Sequence, residues 1–393
     1  MRRLPVLLAA LSLVAAGCGD SDSAGSAGDP IRVGQIVSLT GNYSPLGSEN
    51  KKSVELAVEK VNRDGGVLGR KLEVTVKDDR SQPDQSVIGF NDLRGDDVSA
   101  VIGSPFSNSA LATIPSVDRA KIPYLSLTPA DEQVKPLHQY VFVVPATSST
   151  YAERILQYLK ATGVSSVAVA HDTKSSYAVA GYNGMKDKAS KYGVKLVADE
   201  EFQTDATEFG AVIGHVRSSG AQAFVVWATG APAVALTKQY ATAGLDVPLV
   251  LTGAQASKLF LDPVGAAGEG VIVASSIGVV GAELPDGKQK DAVSELTTSF
   301  SDKYGYPPPQ FAQDGYSAVK LLVAAIEKAG SAEPEKIRDA LETLTLVTPN
   351  GEYHYGKSDH AGLGPEFISV NTVTQGAFKP TEWAAEQLAG LGS

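Results

Sequence analysis

The chain has 393 residues, of which 43% are hydrophobic and 20% charged, and a net charge of −10 at pH 7. This length is typical of about two domains with ordinary buried cores. The charge is spread along the chain and the basic residues do not cluster with aromatic ones, so nucleic acid is excluded as an expected partner. His354 and His360, with Asp359, match no known metal-ligand spacing. We therefore interpret that segment as a solvated loop and expect no metal and no other cofactor.

The N-terminal segment resembles a bacterial lipoprotein signal. Residues 1–18 combine a short positive region with an apolar run shorter than the ~20 residues that a membrane-spanning helix needs. Cys18 is the only cysteine, so it is the expected lipidation site and no internal disulfide can form. An ordinary secretory signal is the alternative. Residues 19–29 are small and polar and predict a flexible tether. We expect an exported protein that is lipid-anchored to the cell membrane, on the outer face or in the periplasm, and contacts the membrane through that anchor only.

Strands and helices alternate along the first part of the body. The predicted elements are a strand at 31–37, a helix from about Ser48 to Asn62, a strand at 71–76, a helix from about Asp84 and a strand at 98–102. In the first helix Val54, Ala57 and Val61 follow the spacing of a buried stripe. That helix is expected to end at Gly65-Gly66, because glycine adopts the left-handed conformation without a Cβ clash.

The alternation continues to the end of the chain. Further predicted strands lie at 122–127, 139–145, 166–170, 194–197, 223–227, 248–252 and 271–274, further helices at 149–163, 208–220, 288–304, 312–329 and 334–344, and short strands within 351–383. Two series of βαβ units predict an α/β fold with two doubly wound parallel-sheet lobes.

The loop from residue 103 to residue 109 is the predicted ligand site. It joins a buried strand to a helix, where backbone N–H groups lack partners and the helix dipole adds roughly half a positive charge. Ser107 or Asn108 can cap this helix and can also donate a hydrogen bond to a carboxylate. On spacing alone, a role of Ser107 as N-cap only is the favoured alternative.

No catalytic signature occurs in the sequence. The nucleophile elbow G-x-S-x-G, the phosphate loop ending in Gly-Lys-Ser/Thr and the zinc motif H-E-x-x-H are all absent. His171 and Asp172 are not expected to act together as the general base that would activate Ser107. Adjacent side chains of an extended chain point apart. We therefore expect that the protein is not an enzyme.

At this point the residues resemble a known family, the leucine/isoleucine/valine-type solute-binding proteins of ABC importers, which have the type I periplasmic-binding fold. The matching runs are 31–34, 39–41, 61–66, 69–72, 78–79, 101–103 with Ser107, 122–123, 171–172, 243–245, 268–271 and 314–316. The resemblance covers about residues 30–364. It implies two lobes joined by three crossovers, near 145–146, 275–277 and 347–350, that close around a ligand by hinge motion.

The resemblance also implies domain boundaries and site residues. The N-terminal lobe would comprise residues 30–145 and 277–346, and the C-terminal lobe residues 146–276 and 347–393. The implied pocket roles are a carboxylate-binding hydroxyl at Ser107, a backbone contact at Ala130, an aromatic contact at Tyr177 and a tyrosine near the hinge at Tyr316.

Four positions depart from the family's amino-acid binders, and one of them is Leu46, which stands where some of those proteins have tyrosine. Glu132 and Gln255 stand where those proteins hold the ligand's ammonium group with a threonine and an acid. A neutral amide loses the charge-assisted bond to an ammonium group. Either Glu132, Asp131 or another nearby acid replaces it, or the ligand has no ammonium group. Gly230 lacks a side chain that amino-acid binders commonly place there.

The leading hypothesis is a substrate-binding lipoprotein of an ABC importer. As a monomer, it would capture a small carboxylate-bearing solute, a branched-chain or other amino acid by family frequency, and deliver it to the permease subunits. An aromatic acid, urea or an amide is the alternative cargo, which Gln255 would suit. A ligand-sensing ectodomain of the same fold is the second alternative, and a hydrolase is disfavoured by the missing nucleophile motif.

Overall fold

The computed structural model describes residues 28–392. The predicted signal peptide, Cys18 and the predicted tether up to residue 27 lie outside the described residues. Within residues 28–392, no helix combines the length and the apolar character that a membrane crossing requires.

The described elements alternate as the sequence predicts. The strands are β1 Ile31–Val37, β2 Leu72–Asp78, β3 Ala100–Gly103, β4 Tyr124–Ser126, β5 Val141–Val143, β6 Ser166–Asp172, β7 Lys195–Phe202, β8 Ala223–Trp227, β9 Leu249–Leu251, β10 Ile272–Ser276, β11 Thr345–Thr348, β12 Gly351–His354, β13 Ile368–Thr374 and β14 Ala377–Pro380. The helices are α1 Ser44–Arg63, α2 Pro83–Gly95, α3 Ser107–Ala120, α4 Ser148–Ala161, α5 Ser176–Lys188, α6 Gly210–Ser218, α7 Ala231–Ala243, α8 Lys258–Val264, α9 Lys288–Tyr304, α10 Gln310–Ala329, α11 Pro334–Leu341 and α12 Glu382–Ala389.

The first sheet is parallel and has the strand order β2-β1-β3-β4-β5. Successive residues of a strand face opposite sides of the sheet, so Val101 and Ile102 of β3 enter different hydrophobic clusters, and both are fully buried. Helices α1 and α10 pack together on one face, and α2 and α3 on the other. The strand order changes direction between β1 and β3, the place where open α/β sheets form a crevice at the carboxyl ends of their strands.

The second sheet has the order β14-β13-β10-β9-β8-β6-β7. Strands β6 to β10 are parallel. β13 runs antiparallel to β10, and β14 runs antiparallel to β13. The predicted two-lobe α/β architecture is confirmed, and two antiparallel strands extend the second sheet at one edge.

The first helix begins and ends for local reasons. It starts at Ser44, earlier than predicted, because a proline in its first turn suits a position that needs no N–H donor. It ends before Gly65 and Gly66, which have φ values of 109° and 78°. A Cβ at Gly66 would lie 2.1 Å from the carbonyl oxygen of Arg70, so only glycine fits this turn.

The segment after β12 packs against the first sheet. The N–H of Val143 donates to the carbonyl of His360 over 2.9 Å, and the Tyr355 hydroxyl donates to the carbonyl of Val143 over 2.8 Å. The chain then continues into β13 of the second sheet. The predicted lobe boundaries stay a proposal, and these contacts favour a third crossover after residue 363 over one at 347–350.

Candidate ligand-binding cleft

A cavity of about 40 Å³ lies between the two lobes, at the carboxyl ends of both sheets. It is lined by Tyr43, Leu46, Pro105, Ser107, Leu127, Thr128, Pro129, Pro145, Tyr151, Ser175, Tyr177, Thr229, Gly253, Ala254, Gln310, Phe311 and Asp314. One buried water occupies ~10–15 Å³ by a comparable measure. In this conformation the cavity therefore has room for a few waters.

The first-lobe wall carries a pair of hydroxyl groups. Ser107 is the first residue of α3, is 2% exposed, and shares a hydrogen bond with the hydroxyl of Thr128. Phe106 is the N-cap residue of α3, and the side-chain hydrogen bond of Ser107 goes to Thr128, so the binding role of Ser107 stays a prediction. The two hydroxyls and the free N–H groups of the first turn of α3 can donate hydrogen bonds to an anionic group.

A buried carboxylate supports the loop that carries Ser107. Asp79 is fully buried and accepts hydrogen bonds from the hydroxyls of Ser38 and Ser104, over 2.6 and 2.5 Å. The backbone N–H of Ser104 donates to the hydroxyl of Tyr124 over 3.1 Å. These bonds tie the loops after β1, β2 and β3 together, which orients the start of α3.

The second-lobe wall is aromatic at its centre. The ring of Tyr177 meets Trp227 edge to face with 5.7 Å between centroids, and its hydroxyl bonds to Thr252. Burial raises the pKa of Tyr177 above its usual value. Tyr177 therefore acts as a neutral apolar surface toward the cavity, as its predicted aromatic contact requires.

One side of the cavity is formed by α4 and α10. Gln310 donates from Nε2 to the Tyr151 hydroxyl over 2.9 Å and accepts at Oε1 from the Ser276 N–H over 2.9 Å. One turn along α10, Asp314 is 2% exposed and accepts at Oδ1 from Asn350 over 2.8 Å. Burial raises the pKa of Asp314 to about 7, against the lowering effect of the Asn350 hydrogen bond.

Asn108 bridges the two lobes beside the cavity. Its Nδ2 donates to the carbonyl of Lys174 over 3.0 Å, and its Oδ1 accepts from the backbone N–H of Ser176 over 3.0 Å. Both partners belong to the start of α5 in the second lobe. Asn108 is not part of the cavity wall. We call its two hydrogen bonds between the lobes the Asn108 clasp.

Five other predicted residues lie outside the cavity wall. Ala130 is fully buried behind Pro129, and Glu132 is exposed on the turn that follows. Gly230 precedes α7 with φ 70°, and its neighbour Thr229 lines the cavity instead. The binding roles of these positions stay predictions.

Gln255 and Tyr316 do not line the cavity, and their side chains form hydrogen bonds within the protein. Gln255 donates from Nε2 to the carbonyl of Ala228 over 2.9 Å, and its Oε1 accepts from Thr252. These bonds close the turn at Gly253–Gln255 that brings Gly253 and Ala254 to the cavity. The Tyr316 hydroxyl donates to Glu295 over 2.8 Å.

Sequence reasoning missed several residues of the cavity wall. Tyr43 stacks on Phe106 with 4.2 Å between centroids, while Tyr151, Gln310 and Asp314 enter from α4 and α10. Asp314 stands in one of the runs that carry the family resemblance, which was the available signal. Among the described residues, no group of three His, Cys, Asp or Glu side chains is arranged to hold a metal ion.

The family model for periplasmic binding proteins matches residues 30–370. The chain belongs to the periplasmic binding protein family. This is a family of substrate-binding proteins, so the resemblance that the sequence motifs carry is confirmed. One relative is the leucine-, isoleucine-, valine-, threonine-, and alanine-binding protein of Pseudomonas aeruginosa, 29% identical over 339 residues, with 83% of this chain and 85% of the relative covered.

Solved structures of similar fold carry different ligands. The substrate-binding protein of a branched-chain amino acid transporter from Streptococcus pneumoniae, in complex with isoleucine, has a TM-score of 0.78 and 22% identity, with 89% of this chain and 98% of that chain covered. A solute-binding protein of an ABC transporter from R. palustris, in complex with benzoate, has a TM-score of 0.77 and 19% identity, with coverage of 89% and 95%. These two similarities show the fold.

Proposed function

We propose that this protein is the solute-binding component of an ABC importer and captures a small amino acid in the cleft between its lobes. The observation that carries the proposal is the cavity itself, because hydroxyls from one lobe and an aromatic wall from the other meet there. The relative from Pseudomonas aeruginosa is by its name a binding protein for leucine, isoleucine, valine, threonine and alanine, which supports the same class of ligand.

The proposed cycle is one of binding and closure without chemistry. With the lobes apart, the ligand's carboxylate takes hydrogen bonds from Ser107, Thr128 and the first turn of α3. Closure then brings Tyr177 and Thr229 onto the ligand and forms the Asn108 clasp. The ligand favours the closed state because only that state makes both sets of contacts, and the permease subunits recognise this state.

We extend the proposal to the way the protein is held at the membrane. Lipidation of Cys18 would anchor the exported protein, and the polar segment that follows would let the lobes reach the permease. Replacement of Cys18 by serine should move the protein from the membrane fraction to the soluble exported fraction. If the distribution between the two fractions does not change, the anchor is wrong and the binding proposal is unaffected.

A thermal-shift panel tests the binding proposal. The melting temperature is measured with α-amino acids, aromatic acids, urea and simple amides, because a ligand that binds only the folded state raises it. We expect a branched-chain or other small amino acid to give the largest shift. A shift with urea or an amide alone would instead establish the alternative cargo. The amide of Gln255 would suit that cargo, but its Nε2 and Oε1 are bonded to Ala228 and Thr252.

A further inference from the structure

Asp314 is the one acidic side chain in the cavity wall. It lies on α10 beside the hinge, and Asn350 from the turn between β11 and β12 binds its Oδ1 atom. Among residues 28–392, no lysine, arginine or histidine forms an ion pair with it, and Asn350 is the one partner that lowers its pKa. Asp314 is thus buried, belongs to the cavity wall and lacks a positive counterpart among the described residues.

The rest of the cavity wall is uncharged. Its other members are apolar residues, hydroxyl-bearing residues and one amide, with no lysine, arginine, histidine or glutamate. The titratable groups nearest to Asp314 are Tyr151 from α4 and Tyr353 from β12. Burial raises the pKa of both tyrosines well above the usual value, so both are neutral. The charge of the empty cavity is therefore that of Asp314 alone.

We propose, on the basis of the proposed function, that Asp314 is the specificity-determining acid of this cleft and that it selects solutes with a cationic nitrogen. An ionised carboxylate in a poorly solvated site is stabilised when a cation lies beside it. A zwitterionic amino acid can place its carboxylate at Ser107 and Thr128 and its ammonium group at Asp314. A plain carboxylic acid brings a second negative charge and no compensation.

This assignment also predicts that the affinity for a cationic solute falls as the pH is lowered. In this conformation burial raises the pKa of Asp314 to about 7, so the carboxyl is mostly neutral at pH 5 and mostly ionised at pH 8. A bound cation requires the ionised form, so the site loses a proton when the cation binds below that pKa. The dissociation constant should then rise at least tenfold between pH 8 and pH 5, because each pH unit below the pKa costs about tenfold.

The experiment uses three probes with one carbon skeleton. Binding of L-leucine, isocaproate and isoamylamine to the purified protein is measured by calorimetry from pH 5 to pH 8. L-leucine carries both charges, isocaproate carries only the carboxylate, and isoamylamine carries only the ammonium group. The set of phenylalanine, hydrocinnamate and phenethylamine repeats the comparison with a ring. We expect the zwitterions to bind tightest, the amines to bind detectably and the plain acids to be at least tenfold weaker at pH 8.

Substitutions identify the acid. Asp314→Asn should weaken zwitterion binding at least tenfold at pH 8, remove most of the pH dependence and reduce the discrimination against the plain acids. Asn350→Ala removes the hydrogen bond that lowers the pKa of Asp314, so it should move the midpoint of the pH profile upward. The matched control is Asp302→Asn, which changes an exposed acid of α9 outside the cleft and should alter neither affinity nor profile.

The outcomes separate this inference from the proposed function. If plain acids bind as tightly as zwitterions, or if Asp314→Asn leaves both affinity and pH profile unchanged, the inference is overturned while the binding proposal stands. If no compound in the panel binds at any pH, the proposed function is rejected, and the selectivity assigned to Asp314 is rejected with it.

Discussion

Ser107 and Ser109 lie close together on α3, but their hydroxyl groups have different surroundings. Ser107 bonds to Thr128 in the cavity wall, whereas the Ser109 hydroxyl is buried without a hydrogen-bond partner among the described residues. Ser107→Ala should weaken binding of the amino acid by roughly 1.5–3 kcal/mol, because a bond to a charged carboxylate is lost. Ser109→Ala is the matched control and should leave the dissociation constant unchanged. Equal effects of the two substitutions would contradict the role of Ser107.

The burial of Asp314 also sets how stability changes with pH. The pKa of Asp314 is about 7 in the folded protein, against 3.8 for a solvated aspartate as in the unfolded chain. The folded state therefore binds the proton more tightly. The free energy of unfolding should therefore fall as pH rises from about 4 to about 7. Asp314→Asn removes this cost, and it should stabilise the unliganded protein by about 2–3 kcal/mol more at pH 8 than at pH 5.

Urea unfolding of both proteins at the two pH values measures that difference. Asp302→Asn again serves as the control, with the same stability change expected at pH 5 and pH 8. A gain for Asp314→Asn that does not depend on pH would mean that Asp314 does not titrate in this range.

At the scale of elements, helix α5 packs closely against the Trp227 ring of strand β8. Gly181 permits this approach, because a Cβ there would lie 2.1 Å from Cε3 of Trp227. The same helix carries Tyr177, whose ring rests on Trp227. We expect Gly181→Ala to lower the free energy of unfolding by about 1–3 kcal/mol, through overpacking, and to weaken ligand binding by moving Tyr177.

Gly214→Ala provides the comparison for that change. Gly214 lies within α6, and a Cβ there would meet no atom within 4 Å. Alanine favours a helix over glycine by up to ~1 kcal/mol, so this variant should be as stable as the parent or more stable. Denaturant unfolding and ligand titration of both variants check the pair. If Gly181→Ala behaves like Gly214→Ala, the close approach of α5 to β8 is not needed.

At the scale of the whole molecule, function depends on how the lobes close. Asn108 contributes two hydrogen bonds across the cleft without lining the cavity. Asn108→Ala should therefore weaken all ligands by the same amount, about 1–2 kcal/mol, and should do so through faster dissociation. Asn91→Ala on the exposed face of α2 is the control. A change in the ranking of ligands, measured by stopped-flow and titration, would instead mean that Asn108 contacts the solute.

Features that depend on nearby residues could be predicted from the sequence, whereas contacts between distant residues could not. The predicted helix from Lys288 to Tyr304 has the same boundaries in the structure, and the predicted buried strand around Val101 and Ile102 is also present. Patterns of this kind depend on neighbours within a few residues. The resemblance implies a ligand contact at Gln255, whereas the hydrogen bonds of Gln255 to Ala228 and Thr252 depend on the tertiary fold.

Local pattern and composition were enough for the α/β class, the two series of strands and the hydroxyl at the start of α3. They were not enough for Asp314, Tyr151 and Gln310, because these residues reach the cavity from helices that lie far apart in the chain. Burial of Asp314 depends on the packing of α10 against the hinge, and so does its pKa. The charge of the cleft is therefore a property of tertiary packing, since no short stretch of sequence determines which side chains share a solvent-poor space.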